Sequence, residues 1–166
     1  MGVHEVDGRL VETLNHPDAR VRRAATGALA RLGTPRALHA LQDMLRDQNP
    51  DIRRQAALGL GAAGQRAAAS DLIAVLEQEQ DSDVEHAIVT ALGKVGTPEA
   101  IERLAKAARP GSLFKRRPTA ARMAAVNALG EAGTPEALDV LRSLAGDRDK
   151  EVRAAVERAL REKSAL

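Results

Sequence analysis

The sequence predicts an all-α chain, an α-solenoid of about five stacked helix pairs, and three observations carry that expectation. One segment recurs along the 166 residues: "VRRAATGALARLGTP" (21–35), "IRRQAALGLGAAGQR" (52–66), "VEHAIVTALGKVGTP" (84–98), "ARMAAVNALGEAGTP" (121–135) and "VRAAVERALREKSAL" (152–166). Each copy places apolar residues at helical spacing, and each is bracketed by residues that start and stop helices.

The second helix of each unit follows an Asp or Asn (Asp18, Asn49, Asp81, Asp149), whose side chain accepts from free backbone N–H groups at a helix start. Its apolar positions recur at i, i+4, i+7, i+8 and i+11, as in Val21, Ala25, Ala28, Leu29 and Leu32, a stripe of roughly 100°. It ends at Gly33, Gly64, Gly96 or Gly133, where glycine takes up left-handed backbone geometry without a Cβ clash. "GTP" then restarts the chain three times, with Thr34, Thr97 and Thr134 as N-caps and Pro35, Pro98 and Pro135 at the first helical position. The first helix of the next unit follows in "RALHALQDMLRD", "AAASDLIAVLEQ", "EAIERLAKAA" and "EALDVLRSLAGD", and "VHEVDGRLVETL" supplies the equivalent at the start. A single domain over 1–166 results, with repeats at 1–33, 34–64, 65–96, 97–133 and 134–166, about ten helices and no strand. One pair cannot bury its apolar face alone, whereas stacked pairs share a core.

The spacing "DxxVRxAAxxALGxxGTPxAxxxL" resembles the HEAT-like repeat of phycobilin lyase subunits and many bacterial HEAT-repeat proteins, over nearly the whole chain. The resemblance implies the fold; function stays open, because the fold serves scaffolds, some enzymes and some nucleic-acid binders. It also implies that Arg22, Arg53, Arg122 and Arg153, each second in its helix, pair with an Asp near the cap in a ladder between neighbouring repeats. Glu85 replaces Arg in the third repeat and Pro118 replaces Asp in the fourth, so the ladder is expected to weaken near that point. Arg161 and Lys163, where earlier copies are small or apolar, read as a C-terminal cap.

Composition narrows the chemistry. Lys and Arg total 25 against 23 Asp and Glu, so any electrostatic role rests on distribution rather than on the net charge of +2. Hydrophobic residues make up 44% of the chain with no Trp or Tyr and one Phe, so Ala, Leu, Val and Ile must build the core. The absence of cysteine removes disulfides, thiolate metal sites and a thiol nucleophile. No apolar run approaches the ~20 residues that span a bilayer. "MGVHEVDGRL" has no apolar signal core, and Val6 stands where a myristoylation motif needs Ser or Thr. A cytoplasmic monomer is expected.

No catalytic template is visible. The chain has no Gly-rich phosphate loop and no nucleophile elbow, and its glycines read as helix ends. Deoxyhypusine hydroxylase, a HEAT-type enzyme, holds two irons with several His-Glu pairs. This chain offers His4-Glu5 once and the reversed Glu85-His86, with His16 and His39 elsewhere. Neither a metal nor any other cofactor is expected, and the protein is read as no enzyme.

Two surfaces remain. Opposite the buried stripe, the second helices line the concave face in families of this type. One column runs Arg23, Arg54, His86, Met123, Ala154 and another Gly27, Leu58, Thr90, Asn127, Arg158. Leu58, Val89, Met123 and Val126 are its apolar candidates. The second surface is the insertion at 109–118, which lengthens the Gly96–Gly133 interval. Between Arg103 and Gly130 there is no acid, whereas Arg103, Lys106, Arg109, Lys115, Arg116, Arg117 and Arg122 are basic. Leu113 or Phe114 is expected to anchor this loop while Lys115, Arg116 and Arg117 project. The leading function is a non-catalytic protein–protein interaction scaffold for an acidic or mixed partner surface. Duplex phosphate binding through the basic 103–122 region is an alternative, although base stacking lacks the aromatics it needs. A maturation accessory subunit, as among phycobilin lyases, is the third reading.

Overall fold

The computed structural model describes residues 3–112 and 115–164, and the side chains of 7–111 and 117–163. Helices α1 (Val3–Thr13), α2 (Ala19–Leu32), α3 (Pro35–Met44), α4 (Pro50–Ala62), α5 (Ala69–Leu76), α6 (Ser82–Val95), α7 (Pro98–Ala108), α8 (Thr119–Ala132), α9 (Pro135–Ser143) and α10 (Lys150–Ser164) follow in order. They form five consecutive pairs of an α-solenoid. The chain divides into two compact units, Met1–Ile88 and Val89–Leu166, described separately below.

The helix ends follow the sequence closely. Gly33, Gly64, Gly96 and Gly133 have φ between 58° and 60°, the left-handed region that other residues avoid. Thr34, Thr97 and Thr134 accept from the N–H groups of Ala37, Ala100 and Ala137 at 3.2–3.3 Å. Where "GTP" becomes Gly64-Gln65-Arg66 the cap is lost. The chain there makes a 3₁₀ turn at Arg66–Ala68 before α5, which is only 8 residues long and has no side-chain cap. Asp18, Asn49, Asp81 and Asp149 each accept from the N–H two residues on, at 2.8–3.0 Å. Pro118 cannot do this, so α8 starts without a side-chain cap.

The core is aliphatic, as composition requires. In the first unit Leu29, Leu41, Leu45, Ile52, Leu60 and Leu72 are fully buried, and in the second Leu92, Leu104, Leu129 and Leu141. The buried stripe of α2 differs from expectation: Thr26 and Gly27 are buried, whereas Val21 is half-exposed and Leu32 is 37% exposed. A second helix is covered by its own pair and by the next second helix, which widens the buried arc beyond one stripe.

That lateral packing also corrects the reading of the glycines as helix ends. Gly59, Gly93 and Gly130 lie inside helices, at points of close approach. A Cβ on Gly59 would sit 2.8 Å from Cβ of Ala30, and one on Gly130 would sit 2.9 Å from Cβ of Ala159. At Gly93 it would meet the carbonyl oxygen of Ala128 at 2.5 Å. Glycine facing alanine lets the helices touch nearly backbone to backbone.

One departure from an all-helical chain occurs at the insertion. Strands β1 (Gly111–Ser112) and β2 (Lys115–Arg116) pair antiparallel, Gly111 opposite Arg116 and Ser112 opposite Lys115. Pro110-Gly111 prepares the turn, with Gly111 at φ 82°, and the Arg117 N–H donates to the Pro110 carbonyl at 3.2 Å. Two residues per strand are too short to leave a period-2 signal in sequence.

Candidate interaction surface

The recurrent arginines lie at the fourth position of their helices, not the second; Arg22, Arg53 and Arg122 bind two things at once, whereas Arg153 donates to the Asp147 carbonyl and has no acid partner among the described residues. In the first unit, Nη1 of Arg22 donates to the His16 and Pro17 carbonyls at 3.0 Å, tying down the loop before its own helix. Its Nε and Nη2 reach Asp47 of the next repeat at 2.8 and 3.0 Å. Arg53 repeats the arrangement, donating to the Asp47 and Gln48 carbonyls and, at 2.7 and 2.8 Å, to both oxygens of Glu79. In the second unit Arg122 donates to the Ala108 carbonyl at 2.8 Å and pairs with Asp147.

The acids are not the caps themselves but stand two residues before them. Asp47, Glu79 and Asp147 also accept from the N–H groups of Asn49, Asp81 and Asp149. Hydrogen bonds from Arg53 hold the Glu79 carboxyl down at about 2, and Arg22 and Arg122 lower Asp47 and Asp147 in the same way. The rung at Arg122 is intact, with its two side chains 5% and 7% exposed, which corrects the expected weakening beside the insertion. The lapse in the pattern is at Glu85, which is exposed.

Behind this ladder the second helices display the candidate residues. In the first unit Arg23 and Arg54 are exposed and flank Asp51, at 3.4 and 3.8 Å. The start of this face is therefore mixed in charge rather than purely basic. Leu58 is 41% exposed and His86 is exposed. Asn127, in the second unit, is exposed, and Thr90 and Met123 are half-buried. Val89 and Val126 are corrections: they are 5% and 0% exposed and belong to the core. Ala87, Ile88 and Val89 are buried in succession, so α6 is covered over more than a single stripe.

The insertion is fixed at its root. Nη1 of Arg117 donates to the Arg109 carbonyl at 3.2 Å, and Thr119 Oγ1 donates to Asp149 at 2.5 Å. Leu113 and Phe114 lie outside the described residues, and for Lys115 and Arg116 only the backbone is described. Among the described residues no group of three or more His, Asp or Glu side chains gathers to hold a metal. No helix among them is long and apolar enough to cross a membrane.

The sequence matches the family of HEAT repeats over residues 5–58, 43–121 and 111–161. The chain belongs to the HEAT-repeat family. No curated protein matches it. Among solved structures, it is similar to the complex of CpcE and CpcF of phycocyanin lyase from Nostoc sp. PCC7120, with a TM-score of 0.71 and 24% identity. That match covers 96% of this chain and 65% of the lyase chain, so this HEAT array spans just under two thirds of it. Two engineered proteins match at TM-scores of 0.55 and 0.54, each with 22% identity, over 94% and 93% of this chain and 78% and 47% of theirs. At these identities the likeness is one of fold.

Within this HEAT array, sequence reasoning missed a groove on the first unit. It is about 550 Å³ in volume and is lined by Arg20, Arg23, Ala24, Gly27, Arg31 and Gln55. Its signal in the sequence was Gly27, a glycine inside a helix and outside the ALG and GTP registers.

Proposed function

We propose that this HEAT-repeat protein is a non-catalytic interaction scaffold that works as a monomer in the cytoplasm. It binds an acidic or mixed protein surface through the exposed side of its second helices and through the basic insertion. HEAT repeats mostly serve as scaffolds, and a rigid array offers a long surface at low ordering cost. The observation that carries the reading is the ladder. It uses Arg22, Arg53 and Arg122 in holding repeats together, while Arg23, Arg54, Leu58 and His86 in the first unit and Asn127 in the second are exposed. In the second unit Thr90 and Met123, both half-buried, stand beside Asn127 as the candidate contacts.

The insertion adds Arg117 together with Lys115 and Arg116, on a ribbon whose base is hydrogen-bonded. Reversing Lys115, Arg116 and Arg117 to Glu should leave helicity unchanged, because all three lie outside the helices. A protein retained from native lysate by the wild type should then be retained poorly by this variant and by Arg23→Glu/Arg54→Glu. Unchanged retention by both variants refutes the reading. Salt-sensitive binding of a 20-base-pair DNA duplex that the insertion variant abolishes would replace it with phosphate binding.

A further inference from the structure

We propose that the groove over Gly27 is a carboxylate-binding subsite that takes a Glu or Asp side chain of an acidic partner segment; this deepens the scaffold reading and rests on it. Arg20, Arg23, Gly27 and Arg31 lie three, four and four residues apart along α2, which places them on one side of the helix. Three guanidinium-bearing residues therefore line one face, with a glycine among them.

Gly27 differs from Gly59 and Gly130, which face an alanine Cβ, in that its nearest neighbour is the far end of a flexible side chain. Where Gly93 faces backbone, a Cβ on Gly27 would meet a side chain, Nε2 of Gln55, at 2.6 Å. Glycine inside a helix is unfavourable relative to alanine, and here no neighbouring backbone demands it. What its missing side chain provides is room: Gln55 reaches across from α4, and the groove keeps a floor of backbone. Nη1 of Arg31 lies 3.6 Å from the same Cβ position, so its guanidinium also turns over the glycine.

The polar groups of this groove are incompletely matched. Arg20 is held by Asp18 at 2.7 Å and Arg23 by Asp51 at 3.4 Å. Among the described residues Arg31 has no acid within ion-pair distance, and Oε1 of Gln55 is buried without a hydrogen-bond partner. A buried amide oxygen left unpaired is costly, and an unpaired guanidinium offers a fork that fits a carboxylate. An incoming carboxylate would accept from Arg31 and from the Nε2 amide of Gln55 that lies over Gly27. With one unpaired arginine among three, the groove suits a single carboxylate and not a track of phosphates. Leu58, one turn beyond Gln55 on α4, sets an apolar residue beside it.

A fluorescein-labelled twelve-residue peptide of alternating Glu and Leu is the probe, titrated by anisotropy against the full chain at low salt. Binding should weaken at least tenfold in Arg31→Glu and in Gly27→Leu, which fills the groove. The variant Arg142→Glu, at an exposed position on α9 of the second unit, should bind as the wild type does. Circular dichroism checks each variant; if Gly27→Leu unfolds, Arg31→Glu at its exposed position carries the test alone. No binding by the wild type, or binding that Arg31→Glu leaves unchanged, overturns the subsite. The scaffold reading stands apart from this result, since it is decided by partner retention on the Arg23/Arg54 and insertion variants. Competition by a 20-base-pair duplex that depends on Arg31 would also overturn the assignment, in favour of phosphate.

Discussion

Replacing Glu79 by Gln tests the ladder at its best-formed rung in the first unit. Arg53 grips both oxygens of Glu79 at 2.7 and 2.8 Å, and the carboxylate is 3% exposed. The Gln80 and Asp81 N–H groups donate to the same carboxylate at 2.9 and 3.0 Å. Together they lower its pKa from 4.5 to about 2, with the Arg53 hydrogen bonds the largest cause. One unit corresponds to about 1.4 kcal/mol, so ionised Glu79 contributes on the order of 3 kcal/mol relative to its protonated form. A depressed folded pKa means that this contribution is complete above pH 4.5 and is lost as pH falls towards 2. Gln keeps the shape and removes the charge, so urea unfolding followed by circular dichroism should show a loss of about 2–3 kcal/mol at pH 7. The gap between variant and wild type should close on acidification through that window. A loss below about 0.5 kcal/mol at pH 7 would refute the argument, being no more than an ordinary surface substitution gives. So would a gap of unchanged size at the lowest pH where both proteins still fold. Combining it with Arg53→Met isolates the pair: the double variant should lose less than the two single losses summed.

Arg122→Met should cost more than Glu79→Gln, about 3–5 kcal/mol, because it leaves Asp147 buried at 7% exposure with no cation; thermal melts compare the two. Gly93→Ala and Gly27→Ala should move stability in opposite directions. The first forces a Cβ to 2.5 Å from a backbone oxygen and should cost about 1–3 kcal/mol, while the second displaces only the end of Gln55 and should gain up to ~1 kcal/mol from helix propensity. Native-state hydrogen exchange should find amides of the 111–117 ribbon opening before those of α7 and α8, since a ladder of two residues per strand holds few bonds. Protection there equal to that of the flanking helices would count against a displayed insertion.

The solenoid was legible because its determinants repeat in register. A capping Asp or Asn, a buried stripe, a left-handed glycine and a Thr-Pro restart each act within a few residues, so one sequence contains every rule several times over. The one junction that lacks Thr-Pro, at Gly64-Gln65-Arg66, is the one where a first helix starts through a 3₁₀ turn. The arginine column was legible for the same reason. Its partners follow the expected Asp near the cap in two rungs, Asp47 and Asp147, and depart from it in the third, where Glu79 takes the place. Val89 and Val126 failed as surface residues because a single helix has no information about how many neighbours cover it. Two-sided cover buries a wider arc than a periodic stripe reveals, and the width is set by the next repeat.

The groove shows this limit most sharply. Gly27 is a signal without a partner in sequence, and it defines a cavity with Gln55 only through the register of α2 against α4, which also brings Arg23 to Asp51 and Ala30 to Gly59. Small residues at the Ala30–Gly59 contact permit that register, since a Cβ on Gly59 would lie only 2.8 Å from that of Ala30. A methyl added there would separate them, and Gln55 would no longer lie across Gly27. The shape of the candidate site therefore depends on a packing contact one turn away that carries no polar group. A binding surface of this kind leaves no motif in the sequence, because its chemistry is exposed by packing and its geometry is set by alanine and glycine.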